Sequence, residues 1–208
     1  MKQAPGLEEF ILSVANTAPL LPAGGSVAAL AGALAAALGE MMSSLTEGRQ
    51  KFASVDFKVR QIHARLSKCR NQLRMLVQED STAFMSLLDA LKLPKGSEEQ
   101  EIARAEAIDR ATRIATETPL RIARAAADVL ENLRVLVEVG NPNARCDAAT
   151  GAQMAYASLK SAQYNVLENI RKMKDRAFAE SCRNEVTDLV GRGQALLQQV
   201  DALVTQIP

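Results

Sequence analysis

The most constraining feature of this chain is a long apolar stripe at helical spacing. Val59, Ile62, Leu66, Cys69, Leu73, Leu76, Phe84, Leu87 and Leu91 follow one another in steps of three and four residues, with a single gap. Only an amphipathic α-helix places such a series on one face, so this segment must bury that face against other helices. The residue in the gap is Asp80. A carboxylate within an apolar stripe must find a partner or it costs several kcal/mol. The partner is either a basic side chain from a neighbouring helix, which is a purely structural role, or part of a reactive site.

The rest of the chain carries the same signature, and no segment shows sustained strand alternation. A short helix is predicted over 7–16, ending in a loop with Pro19 and Pro22. A second, over 27–46, starts after Ser26 as its N-cap. This helix is apolar all round, which places it at the centre of a bundle or at an interface. Its continuous apolar core, 27–38, is too short to span a bilayer. The 92–96 segment ends the striped helix, and Ser97 with Gln100 opens the next through a capping box. Pro119 is expected to kink or divide the segment 98–138. Gly140 ends it, Asn141-Pro142-Asn143 forms a turn, and a helix follows over 148–171. The last helix carries Cys182, Val186, Leu189, Leu196, Val200, Leu203 and Ile207. The expectation is an all-α, single-domain bundle of five to six helices over residues 1–208.

Composition narrows the function. The 25 basic and 24 acidic residues leave a net charge of +1, without the basic excess that a nucleic-acid or anionic-membrane surface requires. Aromatic residues make up 3% of the chain and Trp is absent, which argues against base-stacking platforms. Three cysteines without CxxC spacing suit a reducing cytosol better than a disulfide framework or zinc knuckle, and the acidic Glu8-Glu9 start does not read as a secretory signal. His63 is the sole histidine. That removes His-rich metal sites and the Glu-x-x-His di-iron bundle pattern, and surface packing is its expected role. Cys146, beside Asp147, lacks a spare histidine to activate it and is expected to be a small buried thiol.

Three further places can carry chemistry. Pro22-Ala23-Gly24-Gly25-Ser26 opens a helix, so backbone N–H groups there either approach a ligand or simply complete a cap. The segment from Gly140 through Asn141, Asn143 and Cys146 to Asp147 offers two amides and a carboxylate that can orient a polar heterocycle, although Asp147 reads equally as an N-cap. Lys92 and Lys95 flank Leu93-Pro94 and either bind an anion or form a solvated helix end.

Taken in order, these motifs resemble the cyclodeaminase/cyclohydrolase family of folate one-carbon enzymes. The resemblance rests on Pro22-Ala23-Gly24-Gly25-Ser26-Val27-Ala28-Ala29, Leu45-Thr46-Glu47-Gly48-Arg49-Gln50-Lys51-Phe52, Asp80 with Ala83-Phe84, Lys92-Leu93-Pro94-Lys95, Pro119-Leu120, Gly140 through Ala144, Asp147, and Asn165-Val166. Ala23 stands where the family usually has a first glycine, Cys146 where a serine precedes the aspartate, and Glu168-Asn169 in a stretch that is usually more apolar. The resemblance implies a homodimer with its site near the subunit interface and a tetrahydrofolate derivative as substrate. It also implies no metal and no prosthetic group. Asp147 or Asp80 would move protons and stabilise charge, and Asn141, Asn143 and Asn165 would orient the pterin or the one-carbon unit. Gly24, Gly25 and Ser26 would line the site, and Arg49, Lys51, Lys92 and Lys95 would attract the glutamate tail. The rival is a non-catalytic dimerisation or adaptor protein, or a protein that holds folate without turnover. The adaptor reading predicts that an arginine bridges Asp80.

Overall fold

A computed structural model describes residues 6–16, 22–171 and 173–205. Among the described residues there are six α-helices and no strand: α1 (Leu7–Ala15), α2 (Gly24–Thr46), α3 (Asp56–Lys92), α4 (Glu98–Val139), α5 (Arg145–Ile170) and α6 (Arg176–Thr205). Short 3-10 turns at Gln50–Phe52 and Pro142–Ala144 complete the order. The expected loop residue Pro19 and the stripe residue Ile207 lie outside the described residues.

Helix α2 is the axis of the bundle and packs on α3, α5 and α4, while α6 covers α4 and α5. It is 23 residues long and apolar enough to cross a bilayer by length and composition, longer than its 27–38 core suggests. Just over half of its most apolar window, 56%, is buried by the surrounding helices, as in a core helix. Three glycines seven residues apart allow the close approach. A Cβ at Gly39 would lie 2.6 Å from Leu66, one at Gly32 3.1 Å from Leu73, and one at Gly25 2.1 Å from Asp80. Each glycine therefore faces a residue seven positions earlier on α3 than the last, and the two helices run antiparallel in heptad register. Asp80 occupies the position that Leu66 and Leu73 hold one and two heptads away.

The same register corrects the end of the α3 stripe. Beyond Leu76 the buried positions are Ala83 and Ala90, whereas Phe84 and Leu91 are exposed. Asp80 continues the three-and-four spacing from Leu76 to Ala83, and the larger apolar residues next to the true positions had suggested otherwise.

Pro119 does not divide α4, which runs unbroken from Glu98 to Val139. Proline removes the N–H that would reach the carbonyl of Ala115. Asn169 of α5 fills that vacancy, its Nδ2 donating to the Ala115 oxygen at 2.6 Å. Ser97 caps α4 by accepting from the Gln100 N–H at 3.3 Å, and the Gln100 side chain accepts from Gly96 rather than from Ser97. Helix α1 buries no residue, and Leu7, Ile11 and Leu12 are all exposed.

Candidate active site

The first turn of α2 has no side-chain cap of its own. Its N-cap is Ala23, in extended conformation, and the helix begins at Gly24. Ser26, expected to be the cap, lies inside the first turn and is fully buried. The free N–H groups of a helix start need acceptors, and its dipole favours negative charge. Asp80 meets both requirements from the neighbouring helix. The Ser26 hydroxyl donates to Asp80 Oδ2 at 2.9 Å, and the Ser26 backbone N–H also donates to this carboxylate. Gly25 has no side chain to keep the carboxylate away. Ser26 gives its only hydroxyl proton to Asp80, so Ser81, 3.1 Å away, serves as donor to Ser26.

Desolvation by burial raises the Asp80 carboxyl above the usual carboxylate range, and the two Ser26 hydrogen bonds pull it part of the way back. Among the described residues no arginine or lysine bridges it. The structural salt bridge that the adaptor reading requires is therefore missing among the described residues.

Asn165 belongs to the same end of the bundle. Helix α5 runs antiparallel to α2, with Ser158 donating to the Ala28 carbonyl at 2.7 Å and Gly151 beside the Ala35 carbonyl. Two turns past Ser158, Asn165 is level with the start of α2, half-buried, its Nδ2 turned back to the Ser161 carbonyl at 2.9 Å. Lys92 and Lys95 do not join this group. Twelve residues of α3 separate Lys92 from Asp80, roughly 18 Å along the axis, and both lysines are exposed. Among the described residues Lys92 pairs only with Asp89, at 3.2 Å.

The remaining expected residues gather at the other end of α2. Asn141 is buried and ties the turn after α4 to the end of α2: its N–H donates to Thr46 Oγ1 at 2.9 Å, its Nδ2 to the Leu45 carbonyl at 3.0 Å, and its Oδ1 accepts from the Asn143 N–H at 3.1 Å. The Asn141 side chain is thus engaged in holding the backbone. Asn143, Asp147, Arg49 and Lys51 are exposed around it, with Lys51 over the Phe52 ring at 5.5 Å. Asp147 lies in the first turn of α5, whose N-cap is Ala144. Cys146 is exposed, contrary to the buried thiol expected; Cys69 and Cys182 are the buried ones. His63 is half-buried and joins Glu47 through Nδ1 at 2.6 Å. Along α2, Gly25 and Thr46 are roughly 30 Å apart. The expected site residues of one chain therefore fall into two groups, one at each end of its central helix.

A family model described as formiminotransferase-cyclodeaminase matches residues 6–188. The chain belongs to this family. Among its relatives is a methenyltetrahydrofolate cyclohydrolase of Methylorubrum extorquens, 35% identical over 194 residues that cover 93% of each protein. A formimidoyltransferase-cyclodeaminase of Gallus gallus is 33% identical over 169 residues, 81% of this chain but 31% of that longer protein. The crystal structure of formiminotetrahydrofolate cyclodeaminase from Thermotoga maritima superposes with a TM-score of 0.86 at 26% identity, covering 96% of both chains. The motif order that marked this formiminotransferase-cyclodeaminase family member in the sequence says nothing of how its motifs divide between the two ends. Sequence reasoning also missed Ser81, and it missed that Gly25, Gly32 and Gly39 repeat at the heptad spacing of Asp80, Leu73 and Leu66, the signal for the pairing of Gly25 with Asp80.

Proposed function

We propose that this protein is a folate one-carbon enzyme that hydrolyses 5,10-methenyltetrahydrofolate to 10-formyltetrahydrofolate. The observation that carries the reading is the Asp80 carboxylate, desolvated yet held by Ser26 against the start of α2. The methenyl carbon bridges N5 and N10 as a delocalised cation, and a fixed carboxylate in a partly dry site stabilises such charge strongly. Water adds to that carbon and passes one proton to Asp80, whose raised pKa makes it a better base near neutral pH. The C–N5 bond then breaks as the hydroxyl proton is lost and N5 gains one, leaving the formyl group on N10. The first proton goes from Asp80 to solvent, through Ser26 and Ser81. The chemistry is assigned to side chains and the folate itself, with no prosthetic group.

Cyclohydrolysis is favoured by the likeness to the Methylorubrum extorquens cyclohydrolase, which extends over nearly the whole length of that protein. Cyclodeamination of 5-formiminotetrahydrofolate is the second reading, favoured by the backbone likeness to the Thermotoga maritima cyclodeaminase. It needs the same carboxylate, with N10 as nucleophile and ammonia leaving. Absorbance in the methenyltetrahydrofolate band separates the two. Decay of the methenyl compound faster than buffer alone is the cyclohydrolase result, and a rise with the formimino compound is the cyclodeaminase result. The absence of both changes would refute the enzyme reading.

The active unit in this reading is a homodimer. Val27, Leu34 and Met41 are 38%, 50% and 40% exposed and lie seven residues apart on the outer face of α2, away from its glycines. An apolar stripe on a central helix suits contact with a second copy. Two α2 helices packed antiparallel about a two-fold axis would bring the Asp147 end of each copy to the Asp80 end of the other. Asn141 would then brace the turn that presents Asn143 and Asp147, with Arg49 and Lys51 beside it for the glutamate carboxylates. Mixing Asp80→Asn and Asp147→Asn chains under subunit exchange tests this. Half of the dimers would be mixed, each with one intact site, so activity should return to about one quarter of wild type. No recovery would mean that the two aspartates do not share a site across copies. We place the protein in the cytosol, where its three free cysteines would stay reduced.

A further inference from the structure

We propose that the groove between α3 and α4 is a second binding site, for a small molecule that carries an anionic group at one end and an ammonium group at the other. A cavity of about 340 Å³ opens there, away from the Asp80 side of α3. Arg65 and Lys68 stand on its α3 wall, and Asp128 and Glu131 on its α4 wall. Two cations thus face two anions across a cavity, and none of the four forms an ion pair among the described residues. About two turns further along the same helices, Arg121 of α4 and Glu79 of α3 close into an ion pair at 2.5 Å. The helices can therefore join opposite charges across this seam, and at the cavity they do not.

The interior of the groove has the same polarity. Asn132 is 8% exposed and lines the cavity; its Nδ2 is committed to the Asp128 carbonyl at 2.7 Å. Its Oδ1 has no partner among the described residues and is left as an acceptor for an N–H of the ligand. The Cys69 thiol, pushed up to about 11 by burial, adds a neutral wall. Desolvation, reinforced by Glu131, also raises the Asp128 carboxyl, while Arg65, Lys68 and Arg192 act on it only from a distance. Arg192 is itself paired with Asp188 at 2.9 Å. An ammonium group placed at Asp128 and Glu131 would relieve that mutual repulsion, and a carboxylate at Arg65 and Lys68 would complete the charge balance. The volume suits a molecule the size of an amino acid. This site stands whether or not the folate reading is right.

Straight-chain ω-amino acids from glycine to 6-aminohexanoate, titrated calorimetrically into the full-length protein, act as a ruler across the groove. Affinity should pass through a maximum at one chain length. The best member should bind at least about tenfold more tightly than the carboxylic acid or the amine of the same length. R65Q/K68Q and D128N/E131Q should each weaken it by about tenfold or more, and surface substitutions of this kind leave the fold intact. Saturable binding absent throughout the series, no advantage of two charges over one, or unchanged affinity in both double variants would each overturn the proposal.

Discussion

Replacing Gly25 by alanine tests the geometry of the candidate active site most directly. The added Cβ would stand 2.1 Å from Asp80 Oδ1, 2.6 Å from Cγ and 2.7 Å from Oδ2. All three distances are below any real contact, and they involve the whole carboxylate rather than the tip of a long chain. The carboxylate must therefore retreat by more than about 1 Å, which breaks the 2.9 Å bond from Ser26. Loss of a hydrogen bond to a charged group costs about 1.5–3 kcal/mol, and alanine's better helix propensity returns up to about 1 kcal/mol. The net loss of about 1–2 kcal/mol should lower Tm by roughly 2–8 °C in a domain of this size. Turnover should fall further, because a 1 Å misplacement of a reacting group costs about 100-fold. Differential scanning calorimetry and the methenyl assay read the two effects. Gly24→Ala is the stability control: nothing lies within 4 Å of its Cβ, so Tm should hold or rise. Removing the carboxylate in G25A/D80A removes the clash, so this variant should regain stability over G25A while remaining inactive. A G25A protein with wild-type Tm and turnover would refute the packing of Gly25 on Asp80 and the role built on it.

Three other outcomes follow from the same contacts. Asp80 has a raised carboxyl pKa in the folded protein, so its contribution to stability is fully present below about pH 3.8 and is lost as pH rises through the higher folded value; D80N should therefore gain thermal stability relative to wild type on going from pH 3 to pH 7 while losing turnover, and an equal Tm difference at both pH values would contradict this. Asn169→Ala leaves the Ala115 carbonyl without its donor at the Pro119 site, which should cost about 1–3 kcal/mol in urea unfolding; restoring the helical N–H with Pro119→Ala in the same chain should recover part of it, and purely additive losses would count against the pairing. In the native protein a thiol reagent should modify Cys146 quickly and leave Cys69 and Cys182 slow, since only Cys146 is exposed and burial raises both other thiols; three equally fast thiols would show that the described packing is wrong.

Much of the fold was legible because helix periodicity and helix ends are local signals. Ser97, Gly140 and the 3-and-4 stripe of α3 from Val59 to Leu76 each mark a true cap, stop or buried face. Asp80 stood out for the same reason: it breaks a local pattern. Two of the misreadings share one cause, since each depends on a partner far away in the chain. Pro119 looks like a breaker until Asn169, 50 residues later, supplies the missing donor. Ser26 looks like a cap until Asp80 takes over that duty from another helix. Asn141 has a bracing duty that spacing does not announce, because its bonds reach Thr46 and Leu45 on a distant segment. The division of the expected site residues between two ends was beyond reach for a related reason. It depends on α3 and α5 running antiparallel to α2 while α4 ends beside the end of α2, and spacing within one segment holds no such information.

The position of Asp80 follows from the register. At the levels of Leu73 and Leu66, every α2 amide facing α3 is already bonded within its own helix, so only an apolar side chain fits there. One heptad further, at Gly25, α2 begins and its first N–H groups have no partner in the helix. In an all-helical core such ends are the places where a buried carboxylate can be satisfied without a counter-charge. The opposite end of α2 has the complementary need, because its last carbonyls require donors, and the Asn141 Nδ2 supplies one to Leu45. An antiparallel pairing of two α2 helices through Val27, Leu34 and Met41 would set these unlike ends side by side and oppose their dipoles. The same contact that buries the outer stripe would then join the carboxylate half-site of one copy to the amide-braced half-site of the other. For this reason stability of the pair and activity should be lost together when Leu34, midway along the stripe and far from both ends, is replaced by a charged residue.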